Sequence, residues 1–131
     1  MVRITGDENN RPPKTDKGPV LLTACAYFDG YAFFQLSDPT KPVMPTRLFE
    51  AGYDVWIANR RGTTHSTGHT TENLFSEDPE TYFDFDAENV ATEDYTALIS
   101  TILEERRSEG LPCKKLSLYS DGHSGLEMSI M

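Results

Sequence analysis

The chain lacks any apolar run near the ~18 residues that cross a membrane as a helix, so no transmembrane span is expected. Its opening residues, MVRITGD, hold no apolar core of leader-peptide length. It reads either as not exported or as starting downstream of a natural start, and the compartment stays unknown. Basic charge is scarce: 12 Lys and Arg stand against 21 Asp and Glu, a net charge of −9. Phosphate binding needs a basic footprint, so no nucleic-acid partner is expected. The acidic residues are densest over 72–94 and read as a solvated face. Cysteine is limited to Cys25 and Cys113. Their spacing specifies no bridge, and both border apolar runs, so two buried thiols are expected. Histidine is limited to His65, His69 and His123. His65 and His69 stand four apart near Glu72, a metal-ligand spacing only on a helix. Gly68 and the surrounding threonines argue against a helix there, so no metal and no cofactor is expected.

What is present reads as one α/β unit over residues 1–131. Hydrophobic residues at 37% and aromatics at 11% suffice for a modest core and argue against wholesale disorder. Residues 2–5 suit a short edge strand, and 6–18 form a polar loop with two prolines. "PVLLTACAYF" (19–28) is a continuous apolar run, the pattern of a strand buried on both faces. "MPTRLFEAG" (44–52) suits a short helix, with Pro45 in its first turn and Gly52 at its end. "YDVWIA" (53–58) is a second strand and 59–81 a long polar loop. A helix is predicted from Asp86 to Glu109. Ala91, Tyr95, Leu98, Ile99, Ile102 and Leu103 make its apolar stripe, Asp86 its N-cap, and Gly110 and Pro112 its stop. "KKLSLYS" (114–120) is a third strand, and "GLEMSIM" (125–131) begins a further helix. Alternation of strands and helices predicts a mainly parallel sheet with crossover helices. Sites in such sheets lie at the carboxyl ends of the strands, here residues 24–26, 58–62 and 120–125.

One of those ends carries a candidate nucleophile. A nucleophile elbow places Gly-x-Ser-x-Gly between a strand and a helix. The turn is strained, its small flanks avoid clashes, and the helix start aims N–H groups at a developing oxyanion. "YSDGHSGLEM" (119–128) has that context but no complete motif. Ser124 has Gly122 two before it, yet Gly125 follows one residue later instead of two. Ser120 has Gly122 two after it and Leu118 two before. A glycine-rich strand–helix turn of no chemical role accounts for the same residues.

"FEAGYDVWIANRRGTTHSTGHTT" (49–71) resembles the acid lipase family, the α/β-hydrolase group that includes lysosomal and gastric lipases. The matching parts are Gly52-Tyr53-Asp54-Val55-Trp56, then Asn59, Arg61, Gly62, Thr63 and Ser66. "YFDFDAENVATEDYTALISTIL" (82–103) is similar to that family's next segment, with Asp94 at its acidic position. "KKLSLYSDGHSG" is similar to its strand leading into Gly-His-Ser-Gln-Gly. The resemblance runs from about residue 2 to the end of the chain.

The resemblance implies a partial α/β-hydrolase fold that stops just past the elbow strand. It implies hydrolysis of lipid esters through an acyl-serine. Ser124 is then the nucleophile, if one residue is missing after it, and Ser120 is the second candidate. Backbone N–H groups of Cys25 and Gly125 are the oxyanion donors. The family is mostly secreted or lysosomal. Two departures weigh against activity. Ala24-Cys25-Ala26 stand where the family has His-Gly, which puts the close backbone approach of glycine in doubt. The family's triad runs serine, acid, histidine, and after Ser124 there is no histidine and no aspartate, only Glu127. A serine without a base keeps its ordinary pKa, so the chain alone is expected to be inactive unless His65 or His69 reaches the elbow. The alternative is a non-catalytic remnant or interaction module derived from a lipase. A half sheet leaves a strand edge uncovered, which favours self-association. Asp94 is expected to hydrogen-bond the 59–62 loop, and Arg60 and Arg61 to pair with acids within 72–94.

Overall fold

A computed structural model describes residues 1–6, 15–25, 28–35, 40–72 and 80–131. Its centre is a pair of parallel strands, β2 (Pro19–Thr23) and β3 (Asp54–Ala58), in which every residue is buried. The continuous apolar pattern of 19–23 and the β-branched and aromatic residues of 54–58 suit strands covered on both faces. The strand expected over 19–28 is shorter than its apolar run, and residues 26–27 lie outside the described residues. β1 (Val2–Arg3) pairs antiparallel with β3, as a short edge strand. β4 (Ser117–Ser120) pairs parallel with β2. The sheet is therefore mixed, in the order β1-β3-β2-β4.

Side chains on a strand alternate between faces, and the two faces here hold separate clusters. Val20, Leu22, Val55 and Ile57 pack with Phe49 of α2 (Met44–Glu50). The short helix α1 (Ala32–Gln35) brings Phe33 to the same face. Leu21, Trp56 and Ala58 pack on the other face with Ile102. α2 starts with Pro45 in its first turn and is followed by Gly52 at φ 99°. Glycine is required there, since an added Cβ would lie 2.0 Å from Thr15 Oγ1.

The helix expected from Asp86 to Glu109 is interrupted. α3 (Ala87–Asn89) opens with a reciprocal cap between Asp86 and Asn89. A π-helical stretch, Val90–Tyr95, follows, and α4 (Thr96–Ser108) completes the run. The wider π turn shifts the side-chain phase. Ala91, Tyr95 and Ile102 are buried, while Leu98, Ile99 and Leu103 are only partly so. Arg106, outside the apolar stripe, is buried as well. It donates to Asp54 at 2.8 Å and to Asp16 at 3.0 Å. Arg3 joins Asp54 from β1 at 2.8 Å, so this end of the sheet is held by charge.

α5 (His123–Ile130) begins two residues earlier than the expected start at 125. Cys25 is half-buried and Cys113 exposed, with no disulfide between them. The expectation of two buried thiols fails at Cys113, which precedes β4 on a surface segment. Much of the polar loop at 6–18 and part of the loop at 59–81 (residues 7–14 and 73–79) lie outside the described residues. Among the described residues no helix is long and apolar enough to cross a membrane.

Candidate functional site at the β4–α5 turn

β4 reaches its end beside β2, where Asp121 donates its N–H to Thr23 O at 3.2 Å. The chain then reverses at Gly122, which has φ 59° and ψ −126°. Side chains rarely adopt that conformation, and glycine does so without steric cost. A Cβ on Gly122 would also lie 2.9 Å from Cys25 Sγ. The apex of this strand–helix turn is thus a glycine pressed against Cys25, and Ser120 and Ser124 stand two residues to either side.

Ser124 lies in the first turn of α5 and is 0% exposed. Its hydroxyl donates to Ala24 O at 2.6 Å, toward the sheet. Ser120 is half-buried at the end of β4. Its Oγ lies 3.4 Å from where a Cβ on Gly125 would stand. The Gly125 N–H, expected to face an oxyanion, donates to Gly122 O at 3.0 Å and closes the first turn of the helix. Cys25 O accepts from Phe28 N–H at 2.8 Å.

One turn further along α5, Glu127 is also 0% exposed. Arg60, just past β3, donates to its Oε1 at 2.7 Å, and Tyr95 Oη lies 3.4 Å from its Oε2. Burial pushes the Tyr95 phenol up. Thr23 and Ser124 act against that rise, and the Glu127 carboxylate adds to it. Behind the turn there is therefore a buried polar group of Ser124, Tyr95, Glu127 and Arg60. Arg60 was expected to pair with acids within 72–94. It reaches Glu127 instead, because α5 packs on β4 and on the π-helical stretch and so brings Glu127 within reach of the loop after β3. Arg61 does pair with that region, with Asp94 and with Glu93 at 2.8 Å. Asp94 so ties the π-helical stretch to the 59–62 loop, as expected.

The histidines are held elsewhere. His65 Nδ1 meets Asp29 Oδ2 at 2.8 Å, and its ring stands 4.9 Å from that of Tyr31. His69 Nδ1 accepts the N–H groups of Thr71 and Glu72 within its own loop. His123 is exposed and borders a cleft of about 600 Å³ shared with Asp29, Arg60 and Phe85. Among the described residues no imidazole is hydrogen-bonded to Ser124 or Ser120. No three His, Cys, Asp or Glu residues gather in a metal-binding group there either.

A second cavity, of about 580 Å³, opens at the carboxyl ends of β2 and β3 beside Ala24, Tyr95, Arg61 and His69. A cleft at that end is where an α/β sheet carries ligands. Lipase member N of Homo sapiens is 32% identical to the chain over 110 residues, 84% of the chain and 25% of that protein. The lysosomal acid lipase/cholesteryl ester hydrolase of Rattus norvegicus is 36% identical over 77 residues, 59% of the chain and 17% of that protein. The lipase lipl-3 of Caenorhabditis elegans is 36% identical over 75 residues, 57% of the chain and 16% of that protein. The chain belongs to an acid lipase-like family. It spans a quarter or less of the length of these relatives. No family model matches it.

In this acid lipase-like chain, sequence reasoning singled out the residues of the turn and missed what lies behind them. Tyr95 was read as part of an apolar stripe, and Glu127 only as a residue too short of triad chemistry. The available signal was spacing: Ser124 and Glu127 are three apart on one helix and share a face. Chemically, the arrangement keeps a serine hydroxyl and a carboxylate dry and paired, with a guanidinium closing the charge balance.

Proposed function

We propose that the chain carries the elbow portion of a lipase-like serine ester hydrolase on an α/β-hydrolase scaffold. Lipid esters are the substrate class, and Ser124 corresponds to the nucleophile. The observation that carries this reading is the match to a lipase across 84% of the chain, in a chain that places Ser124 on a helix after a strand and a turn with positive φ. Ser120 is the second nucleophile candidate, and the backbone near Cys25 and Gly125 the candidate oxyanion side.

The 131-residue chain by itself is proposed to lack useful turnover. Attack by serine needs a base that accepts its proton and a surface the ester can reach. The Ser124 hydroxyl donates instead to the Ala24 carbonyl and has no exposed surface. The Gly125 N–H is spent within the helix. A non-catalytic module derived from a lipase is the second reading, and the same burial of Ser124 favours it.

A fluorophosphonate serine probe separates the two, applied to the wild type, Ser124→Ala and Ser120→Ala with a short-chain ester assay alongside. Absence of labelling and turnover in a folded chain is the expected result. Turnover abolished by Ser124→Ala alone would overturn the inactivity and name the nucleophile.

A further inference from the structure

A nucleophile elbow holds one residue in a backbone conformation that side chains rarely adopt, and that residue is the nucleophile itself. The residues two before and two after it are small, because the neighbouring chain passes close on both sides. Between β4 and α5 the residue in such a conformation is Gly122, at φ 59° and ψ −126°. Ser124 is not in it, since it lies inside the first turn of α5. Small residues stand two to either side of Gly122, and both face neighbouring chain. Ser124 is fully buried, with its hydroxyl 2.6 Å from Ala24 O. Ser120 Oγ is 3.4 Å from a Cβ set on Gly125.

We propose that the nucleophile's place in this elbow is position 122, where the chain holds glycine, and that Ser120 and Ser124 are its flanks. Residues 120–124 then fill the frame with nothing missing, whereas Ser124 as nucleophile needs one residue missing after it. Set on Gly-His-Ser-Gln-Gly in that register, the two serines fall on the two glycines and Gly122 falls on the serine. The direction of a side chain at 122 fits as well. A Cβ there points at Cys25, 2.9 Å from its Sγ and 3.3 Å from its Cβ. It so stands beside the segment expected to give an oxyanion donor, where a nucleophile belongs, because the oxyanion grows on the carbonyl it attacks. The second donor of an elbow is the N–H of the residue after the nucleophile. That residue becomes His123, the first of α5, whose N–H lies outside the helical ladder. The Gly125 N–H, closed onto Gly122 O, has no part in it.

The inference rests on the hydrolase reading of the scaffold, keeps its elbow and moves the nucleophile's place within it. It also gives the inactivity a cause that a base supplied from elsewhere would not repair. Glycine offers no nucleophile, and the Ser124 hydroxyl is turned to the sheet.

Thiol chemistry tests it, since a cysteine reacts without a partner base and so reports the direction of its own side chain. In the full chain carrying Cys25→Ala and Cys113→Ala, Gly122→Cys and Ser124→Cys each leave a single thiol. Removal of the Cys25 sulfur also makes room at position 122. Gly122→Cys should react with iodoacetamide about tenfold faster than Ser124→Cys, or more, because a thiol at 124 is reached only when the turn opens. Circular dichroism confirms the fold of both. Equal rates, or a faster Ser124→Cys, overturn the proposal and return the place to Ser124. Backbone angles of the wild type, measured by NMR, decide if Gly122→Cys unfolds. Positive φ at Gly122 with helical angles at Ser124 is the expected result. Positive φ at Ser124 overturns the inference and leaves the hydrolase reading standing. No positive φ anywhere in 120–125 removes the elbow, and the hydrolase reading of the turn falls with it.

Discussion

Arg60, partly exposed, and Glu127, fully buried, form an ion pair in which two guanidinium nitrogens converge on one carboxylate oxygen, each at 2.7 Å. The pair joins the end of β3 to α5, the element that also carries Ser124. A buried carboxylate that loses its cation pays its full desolvation cost. Arg60→Leu should therefore destabilise the chain by about 3–5 kcal/mol. The double variant Arg60→Leu/Glu127→Leu should recover most of that loss, because no charge is then stranded. Urea unfolding of the two variants checks it, and equal losses in both would mean that Glu127 is not buried as described.

Gly122 should tolerate no side chain. Gly122→Ala forces a positive φ on a residue with a Cβ, and sets that Cβ 2.9 Å from Cys25 Sγ. A cost of about 1–3 kcal/mol is expected from the backbone alone. Cys25→Ala in the same chain removes the sulfur and should return part of the loss. The two substitutions should therefore be non-additive, and thermal unfolding of the single and double variants measures the coupling. Strictly additive losses would separate Cys25 from the turn.

The alternation of apolar strands and amphipathic helix was legible in the sequence because it follows from local chemistry. Residues 19–28 read as a strand buried on both faces, 53–58 as a second strand, and Asp86 as a cap, and the structure has a strand or cap at each. The π-helical stretch at 90–95 was not legible, since a stripe at steps of three and four fits either helix until the packing of Tyr95 against α5 selects one. The burial of Arg106 and Glu127 was hidden for a related reason. A charged residue reads as exposed until its partner is known, and Asp54 and Arg60 are 52 and 67 residues away in sequence. The turn at 120–125 was located correctly as a turn. Which way Ser124 points depends on where α5 begins, and the start at His123 sends the hydroxyl toward Ala24.

Acid should weaken the charged end of the sheet. Burial alone would raise the Asp54 carboxyl, but hydrogen bonds from Arg3 and Arg106 outweigh it and hold the group below its ordinary value. Asp16 is likewise held low against burial by Arg106, the Gly18 N–H and Lys114. Arg3 holds Glu109 low. Folded carboxyls with depressed pKa values stabilise fully above the ordinary carboxylate range, and that stability is lost as pH falls below it through the folded values. Unfolding free energy should thus be nearly level from about pH 7 to pH 5 and drop steeply below about pH 4. Arg106→Met should cost about 3 kcal/mol at neutral pH and flatten the acid limb. A wild type whose stability is unchanged at pH 3 would contradict these ion pairs.

Ser124→Ala distinguishes a structural hydroxyl from a chemical one. The hydroxyl is buried and donates at 2.6 Å to a backbone carbonyl at the end of β2, so alanine leaves an acceptor without its donor. That loss is worth about 1–3 kcal/mol, and it should be visible as a lowered urea midpoint with an unchanged slope. Ser120→Ala, at a half-buried position, should cost less. A surface nucleophile behaves in the opposite way: its removal leaves stability untouched and ends reactivity. The midpoint of Ser124→Ala therefore decides how the turn is used, whatever the ester assay yields. A clear loss means that the hydroxyl locks α5 to the sheet, and no loss means that it is turned outward and available to an ester.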